Sequence, residues 1–146
     1  MSTVSRTVRT DAAPQQVFDY LADFTHTEEW DPGTVSTERV SGDGGVGTRY
    51  HNVSKFLGRE TELEYTVIDL DAGTLVRLRG VNDTVTATDT MRITPDGTGS
   101  LVEYTAEFEW KGVAKVAGPL LAPALKKLGD EAEQGLQENL AKLPRP

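Results

Sequence analysis

The first residues of the chain alternate between apolar and polar side chains, and helical spacing follows. Residues 3–10 are rich in β-branched side chains that alternate with polar ones, which predicts a first strand. Pro14 suits the first turn of a helix, and Val17 and Leu21 place an apolar stripe on that helix. A second short helical segment is expected over residues 25–30. The chain therefore starts with a strand and two short helices.

The middle of the chain is a succession of short alternating segments separated by turn residues. These turns are Gly42-Asp43-Gly44-Gly45, Gly58, Asp71-Ala72-Gly73, Asn82-Asp83 and Asp96-Gly97. Strands joined at hairpin spacing are antiparallel, because parallel neighbours need long crossover connections. Residues 34–110 are therefore predicted to form a six-stranded meander.

After residue 112 the apolar residues follow helical spacing. They recur three or four positions apart, at Val113, Val116, Leu120, Ala124, Leu128, Ala132, Leu136, Leu140 and Leu143. Such a stripe predicts a helix over about residues 113–142 that is covered on one side. Pro119 and Pro123 lie in its first half, so a kink or a restart is expected near Gly118.

The turns also predict which side chains share a face of the sheet. With a two-residue turn at 96–97, Asp89 lies opposite Tyr104, and with a turn at 82–83, Val76 lies opposite Asp89. The face that these residues share is otherwise apolar, whereas its reverse carries threonine, arginine and glutamate side chains. We therefore predict that this face points inward.

The earlier strands give a less firm register. A turn at 58–59 places Tyr50 and Asn52 on the same inward face as Tyr65. A shift by one residue would turn these side chains outward, because successive side chains of a strand point to opposite faces. Both arrangements remain open at this point.

Composition narrows the class of protein. The chain has 146 residues, and we expect a single domain over residues 1–146. Its net charge of −8 argues against nucleic acid and anionic membrane surfaces, which attract basic proteins. The absence of cysteine excludes disulfides and thiolate chemistry. No apolar run suits a membrane span or a signal segment, so a cytoplasmic location is expected.

The sequence lacks the motifs of metal, phosphate and nucleophile chemistry. His26 and His51 are its only histidines, and they lie far apart without the spacing of a zinc site. No Gly-x-Ser-x-Gly sequence is present. The glycine-rich segment 42–47 contains an acidic residue and lacks a following Lys-Ser or Lys-Thr, so it is interpreted as a hairpin turn. We therefore expect no metal or cofactor and assign no catalytic residue.

Several stretches of the chain resemble a known superfamily. They are Ala13-Pro14-Gln15-Gln16-Val17-Phe18-Asp19-Tyr20-Leu21-Ala22-Asp23, Trp30-Asp31-Pro32, Gly47-Thr48-Arg49-Tyr50, Tyr65-Thr66-Val67-Ile68-Asp69-Leu70 and Gly97-Thr98-Gly99. On these stretches and the order of its elements, the chain resembles the START/Bet v 1-like (SRPBCC) superfamily, in its polyketide cyclase/dehydrase-like branch. The resemblance implies an α+β helix-grip fold, in which a seven-stranded antiparallel sheet wraps around the long C-terminal helix.

The same resemblance implies a cavity between the sheet and the C-terminal helix. Members of the superfamily carry lipids, bind hormones or polyketides, cyclise polyketides or assist chaperones, and no catalytic motif is common to the branch. Residues expected to face the cavity are therefore the candidate ligand-binding residues. They are Trp30, Tyr50, Asn52, Tyr65, Val76, Asp89, Tyr104, Phe108, Trp110 and Leu121. The alternative is that the large aromatic residues among them fill the core.

Three functions are compatible with these observations. The first is a binding or carrier protein for a small hydrophobic or aromatic molecule, in a pocket of about 300–1,000 Å³ with few polar groups. The second is a polyketide cyclase, aromatase or dehydratase that acts by positioning and acid–base help. The third is a protein-interaction module with a filled core and an exposed apolar patch. The ligand, and the choice between monomer and homodimer, stay open.

Overall fold

The computed structural model of the protein describes residues 1–144. Its strands are β1 (Ser2–Thr10), β2 (Thr34–Ser41), β3 (Arg49–Phe56), β4 (Arg59–Asp71), β5 (Leu75–Val81), β6 (Val85–Asp96) and β7 (Gly99–Trp110). Its α-helices are α1 (Pro14–Ala22), α2 (Thr27–Trp30), α3 (Ala114–Ala117) and α4 (Ala122–Leu140). Short 3-10 helices at Phe24–His26 and Gly118–Leu121 lead into α2 and α4. None of the helices in this described part combines the length and the apolar character needed to cross a membrane.

The strands form one antiparallel sheet in the order β1-β7-β6-β5-β4-β3-β2. Strands β2 to β7 pair as successive hairpins, and β1 joins the sheet beside β7. Helix α4 packs on one face of this sheet, where Ala132, Leu136 and Leu140 enter the hydrophobic core. The seven-stranded helix-grip fold predicted from the sequence is thereby confirmed.

Helix α4 packs closely against β1, and an ion pair and hydrogen bonds join the two elements. A Cβ atom on Gly129 would lie only 2.4 Å from Cγ1 of Val4, so glycine is what permits this close approach. On the same strand, the Arg6 guanidinium donates hydrogen bonds to the Asp130 carboxylate at 2.9 Å and to the Lys126 carbonyl at 3.2 Å. These contacts hold α4 in place over the sheet.

The C-terminal helical region departs from the prediction in its first part. The restart predicted near Gly118 is present as the 3-10 helix between α3 and α4. However, Val113, Val116 and Leu120 are 91%, 82% and 79% exposed, so the prediction that they extend the covered stripe was wrong. A 3-10 helix has three residues per turn, and its insertion shifts the phase of the apolar stripe relative to α4.

The predicted register of the β6–β7 hairpin is displaced by two residues. Asp89 lies opposite Ala106, and Tyr104 lies opposite Met91, so the predicted direct pairing of Asp89 with Tyr104 was wrong. The turn begins at Gly97, one residue later than predicted, where glycine adopts a φ of 63°. A displacement of two residues keeps every side chain on its face, because side chains alternate with a period of two. The two residues are therefore diagonal neighbours on the inward face.

The β5–β6 hairpin shows the same displacement. Val76 lies opposite Met91, and not opposite Asp89 as predicted. The cause is the Asn82 side chain, which accepts hydrogen bonds from the backbone N–H groups of residues 84–85 at 2.8 and 2.9 Å and lengthens the turn. Val76 remains on the buried face.

The β3–β4 hairpin settles the question that the sequence left open. Tyr50 pairs with Tyr65, and Asn52 pairs with Leu63, on the inward face. The turn begins at Leu57 rather than at residue 58, which again displaces the register by two residues. The shift by one residue that would have turned these side chains outward does not occur.

Candidate functional site

A cavity of about 180 Å³ lies between the sheet and α4, at the end where the β3–β4 and β5–β6 hairpins turn. Its large apolar lining residues are Phe56, Leu63, Val85, Phe108, Trp110, Leu125 and Leu128. Its polar lining includes Asp31, Ser54, Thr61, Tyr65, Asp89 and Tyr104. The volume is smaller than the 300–1,000 Å³ expected from the sequence, because Trp30 and Tyr50 are packed into the core beside it.

Asp89 is the buried carboxyl group of this cavity. Only 7% of its surface is exposed, and its neighbours across the sheet are Leu78 in β5 and Ala106 in β7, whose side chains have no polar atom. Within residues 1–144 it has no hydrogen-bond or ion-pair partner. Burial, with a smaller contribution from the charge of Asp31, raises the pKa of Asp89 from 3.8 to about 7. Asp89 therefore changes its charge near neutral pH.

Asp31 brings a second carboxyl group to the same cavity. It follows the end of α2, and its carboxylate accepts hydrogen bonds from the Gly33 N–H at 3.0 Å and the Thr34 hydroxyl at 3.1 Å. Burial raises the pKa of Asp31, although both hydrogen bonds favour the charged form and oppose this rise. The turn that ends α2 thus fixes the orientation of a carboxylate at the cavity wall.

Two tyrosine hydroxyl groups accompany the carboxyl groups. The ring of Tyr65 lies over Gly80 on the neighbouring strand, where a Cβ atom would approach ring atoms to 2.7 Å. The ring of Tyr104 packs edge-on against Trp30, with ring centroids 5.6 Å apart. Burial, followed by the charge of Asp89, raises the pKa of both tyrosines well above its ordinary value. Both hydroxyl groups therefore keep their protons and can donate or accept hydrogen bonds.

Two stacked aromatic rings form a flat part of the apolar wall. The rings of Phe108 and Trp110 lie 5.7 Å apart at an angle of 12°. The Trp110 indole N–H donates a hydrogen bond to the Ser2 hydroxyl at 3.0 Å. A Cβ atom on Gly118 would lie 2.5 Å from Cδ1 of Trp110, so the 3-10 helix before α4 packs directly against this ring. The indole is thereby held between β1 and the C-terminal region.

The charges around the cavity are unbalanced. Neither Asp31 nor Asp89 forms an ion pair with a lysine, arginine or histidine in the described part of the chain. Lys55 contributes to the lining, but its side chain is exposed on the β3–β4 hairpin. The cavity therefore combines two carboxyl groups with no buried cation among residues 1–144.

Five of the ten residues predicted to bind a ligand line the cavity; they are Tyr65, Asp89, Tyr104, Phe108 and Trp110. The other five do not line it. Trp30, Tyr50 and Val76 are fully packed in the core, as the alternative interpretation of the large aromatics allowed. Asn52 is buried but donates its amide N–H to the Thr37 hydroxyl at 2.9 Å. Leu121 belongs to the 3-10 helix that precedes α4 and lies outside the lining.

The sequence reasoning missed Asp31 and the helical wall of Leu125 and Leu128. Asp31 stands in an Asp-Pro-Gly sequence, which was interpreted only as the turn that ends a helix. Its proximity to Asp89 depends on long-range packing of α2 against the sheet, for which the local sequence carries no signal. Leu128 belongs to the apolar stripe predicted for the C-terminal helix, but the stripe does not tell which of its residues border a cavity.

Comparison with known proteins agrees with this architecture. The chain matches the family described as "Polyketide cyclase / dehydrase and lipid transport" over residues 1–144. No curated protein matches it. Among solved structures, the ZhuI aromatase/cyclase from Streptomyces sp. R1128 shares 16% identity with a TM-score of 0.78, covering 95% of this chain and 93% of its own.

Two further solved structures have the same fold. A START superfamily protein from Mycobacterium smegmatis shares 15% identity with a TM-score of 0.79, covering 94% of this chain and 96% of its own. A STAR-related lipid transfer protein from Xanthomonas axonopodis shares 17% identity with a TM-score of 0.74, covering 93% and 84%. At such identities the likeness concerns the fold, whereas the family match concerns the sequence itself. The chain belongs to the polyketide cyclase/dehydrase and lipid transport family.

Proposed function

We propose that the protein binds a small apolar molecule with one polar group and carries it in the cavity between the sheet and α4. The observation that supports this most directly is Asp89, a buried carboxyl group at the cavity wall that has no hydrogen-bond or ion-pair partner among residues 1–144. Among residues 1–144, the fully enclosed side-chain atom without a hydrogen bond is Oε1 of Gln16, so the carboxyl oxygens of Asp89 are accessible from the cavity. A carboxylate in a mostly buried site costs free energy when it lacks polar partners, and a ligand that hydrogen-bonds to Asp89 from the cavity lowers this cost.

The remaining wall suits the apolar part of the same molecule. Phe108, Trp110 and Leu125 offer aromatic and aliphatic surface, and burial of apolar area contributes roughly 25 cal/mol per Å². Binding pockets commonly combine such a wall with a few polar groups that set the orientation of the ligand. The volume of about 180 Å³ restricts the ligand to a small molecule, such as a bicyclic aromatic.

A cyclase or dehydratase is the second candidate, and one observation favours it. Asp89, with a pKa of about 7, and Asp31, whose carboxylate is held by two hydrogen bonds, could act as an acid and a base. Against it, no histidine or arginine lines the cavity in the described part of the chain. The two candidates differ in a simple measurement, because an enzyme converts its substrate whereas a carrier returns it unchanged.

The cavity can be filled by a single substitution. Leu128→Trp should abolish binding of naphthylmethanol, a neutral bicyclic probe, because the indole would occupy the space that the probe needs. Isothermal titration calorimetry measures this binding. The matched control is Leu120→Trp, which makes the same change on a side chain that is 79% exposed and outside the cavity wall. Equal binding by both variants would place the probe elsewhere and contradict the proposal.

The two tryptophans allow the site of binding to be located by fluorescence. Trp110 lines the cavity, whereas Trp30 is buried in the core with 2% exposure. Naphthylmethanol should therefore change the emission of wild-type protein by quenching or energy transfer at Trp110. Trp110→Phe should keep the binding heat, since its ring preserves an aromatic wall, and should lose most of this emission change. An unchanged fluorescence response in Trp110→Phe would show that the probe does not reach this wall.

A further inference from the structure

We infer that the ligand carries a protonated amine, so that the cavity is a site for a small apolar cation. This inference rests on the proposed function, because it names the class of ligand that the same cavity would take. Two carboxyl groups, Asp31 and Asp89, line a cavity that has no buried cation among residues 1–144, so the charges around the cavity are unbalanced. A bound ammonium group would supply the missing positive charge.

The groups that face Asp89 from each neighbouring element do not neutralise the negative charge of its carboxylate. Tyr65 on β4 and Tyr104 on β7 are neutral, and Asp31 after α2 adds negative charge. On α4, the charge of Glu131 acts on Asp31 in the same direction. The cation of the lining, Lys55 on β3, is exposed to solvent and pairs with neither carboxylate. When both carboxyl groups are ionised, negative charges therefore outnumber positive charges in the lining.

The chemical groups of the wall suit an ammonium group attached to a ring. An ammonium has three N–H donors and no acceptor, so it can donate to the Asp89 carboxylate and to the hydroxyl oxygens of Tyr65 and Tyr104. Hydrogen bonds between ionised groups are stronger than those between neutral groups. The stacked rings of Phe108 and Trp110 offer aromatic surface, which also attracts cations.

Other ligand classes fit this wall less well. An anionic ligand would bring a third negative charge into the cavity and would be repelled by both carboxylates. A ligand rich in carbonyl oxygens needs donors, and an ionised carboxylate can only accept hydrogen bonds. A neutral alcohol can donate one hydrogen bond to Asp89, but it leaves the charge of the carboxylate uncompensated. The charges and hydrogen-bonding groups of the wall thus favour an amine over an alcohol and an alcohol over an acid.

Three probes with one ring system test this order. Naphthylmethylamine, naphthylmethanol and naphthoate carry a cation, a neutral hydroxyl and an anion on the same bicyclic ring. At pH 8, calorimetry should give an affinity for the amine at least ~10-fold higher than for the alcohol, because the hydrogen bond from the amine to Asp89 joins two opposite charges and that from the alcohol does not. Naphthoate should bind more weakly than either. Affinity for the amine that is equal to that for the alcohol would overturn the inference.

Dependence on pH gives an independent test in the unmodified protein. The carboxyl group of Asp89 has a pKa of about 7, so the amine must displace a proton from it at lower pH. The affinity for naphthylmethylamine should therefore fall about tenfold between pH 8 and pH 6, while the amine itself stays protonated. Naphthylmethanol should show little change over this range. A flat profile for the amine would contradict the role of Asp89.

Asp89→Asn should remove both the preference for the amine and the pH dependence of its binding. The amide of asparagine has the shape of the carboxyl group but carries no charge. The variant should bind the amine no better than the alcohol and without dependence on pH. Asp83→Asn is the matched control: it removes the same charge from an exposed turn residue outside the lining and should behave like wild type.

If none of the three probes binds wild-type protein, the proposed function itself fails. If all three bind wild-type protein equally, the function stands and the amine inference fails.

Discussion

Replacement of Asp89 by asparagine is expected to stabilise the protein by about 4 kcal/mol at pH 8, which is unusual for a substitution in the interior. The folded protein holds this carboxyl group with a pKa of about 7, against 3.8 for an ordinary aspartate. Each pKa unit of difference between the folded and unfolded states corresponds to 1.36 kcal/mol. The charged form of Asp89 is therefore disfavoured in the folded protein, and asparagine has no charge to bury.

The sign of the pH dependence follows from the proton balance. Between pH 3.8 and about 7 the folded state holds the proton of Asp89 more tightly than the unfolded state does. The contribution of this group to stability is therefore fully present below pH 3.8, falls as the pH rises, and is lost above about 7. The difference between Asp89→Asn and wild type should shrink to about 2 kcal/mol at pH 5.

Urea denaturation of both proteins at pH 5 and pH 8 measures these differences. Asp83→Asn again serves as the control, since an exposed charge should change the free energy of unfolding by less than about 0.5 kcal/mol at either pH. A gain that is equal at both pH values would show that charge is not its cause. A loss of stability at pH 8 would show that the ionised carboxylate has favourable partners in the folded protein.

Such a result would bear on function as well as on stability. A buried carboxyl group that weakens the fold at neutral pH is a feature of binding and catalytic sites, where strain in the free protein is relieved by a ligand. Asp130 makes the contrast clear: on the surface, hydrogen bonds from Lys126 and Arg6 lower the pKa of its carboxyl group. The surroundings of Asp130 thus stabilise its negative charge, whereas the surroundings of Asp89 disfavour it.

The faces of the strands could be predicted from the sequence, whereas the pairing of individual residues could not. The predicted register was displaced by two residues at the β3–β4, β5–β6 and β6–β7 hairpins. Each displacement came from the turn of the hairpin. The β6–β7 turn begins at Gly97 and the β3–β4 turn begins at Leu57, each one residue away from the predicted position. The β5–β6 turn is lengthened by hydrogen bonds to the Asn82 side chain. Alternation with a period of two is a property of the whole strand, so these local errors left the inward face unchanged.

The candidate site was harder to predict because its members come from distant parts of the chain. Asp89 could be recognised as an acidic residue on an apolar face, which is a local signal. The position of Asp31 at the cavity depends on how α2 packs against α4 and the sheet, and no repeat or motif in the sequence predicts that packing. The same limit explains why Trp30 and Tyr50 were placed at the cavity: an inward direction is predictable, but the boundary between core and cavity is not.

The packing of α2 against α4 leads to the last prediction, which concerns Gly135. A Cβ atom at this position would lie 1.8 Å from the carbonyl oxygen of Trp30 and 2.7 Å from its carbonyl carbon, so the backbone itself would have to move. Gly135→Ala should therefore destabilise the protein by about 2 kcal/mol or more, even though alanine favours an isolated helix by about 1 kcal/mol over glycine. Thermal and urea denaturation measure this loss.

Gln137→Ala is the matched control, because it introduces alanine at an exposed position of the same helix and should change stability by less than about 0.5 kcal/mol. Gly135→Ala also tests the site, since Asp31 directly follows Trp30 and would move with it. The variant should bind naphthylmethylamine more weakly than wild type at pH 8, even at a temperature where it remains folded. Unchanged stability in Gly135→Ala would mean that α2 and α4 do not approach as closely as the structure shows, and the position of Asp31 at the cavity wall would then lose its support.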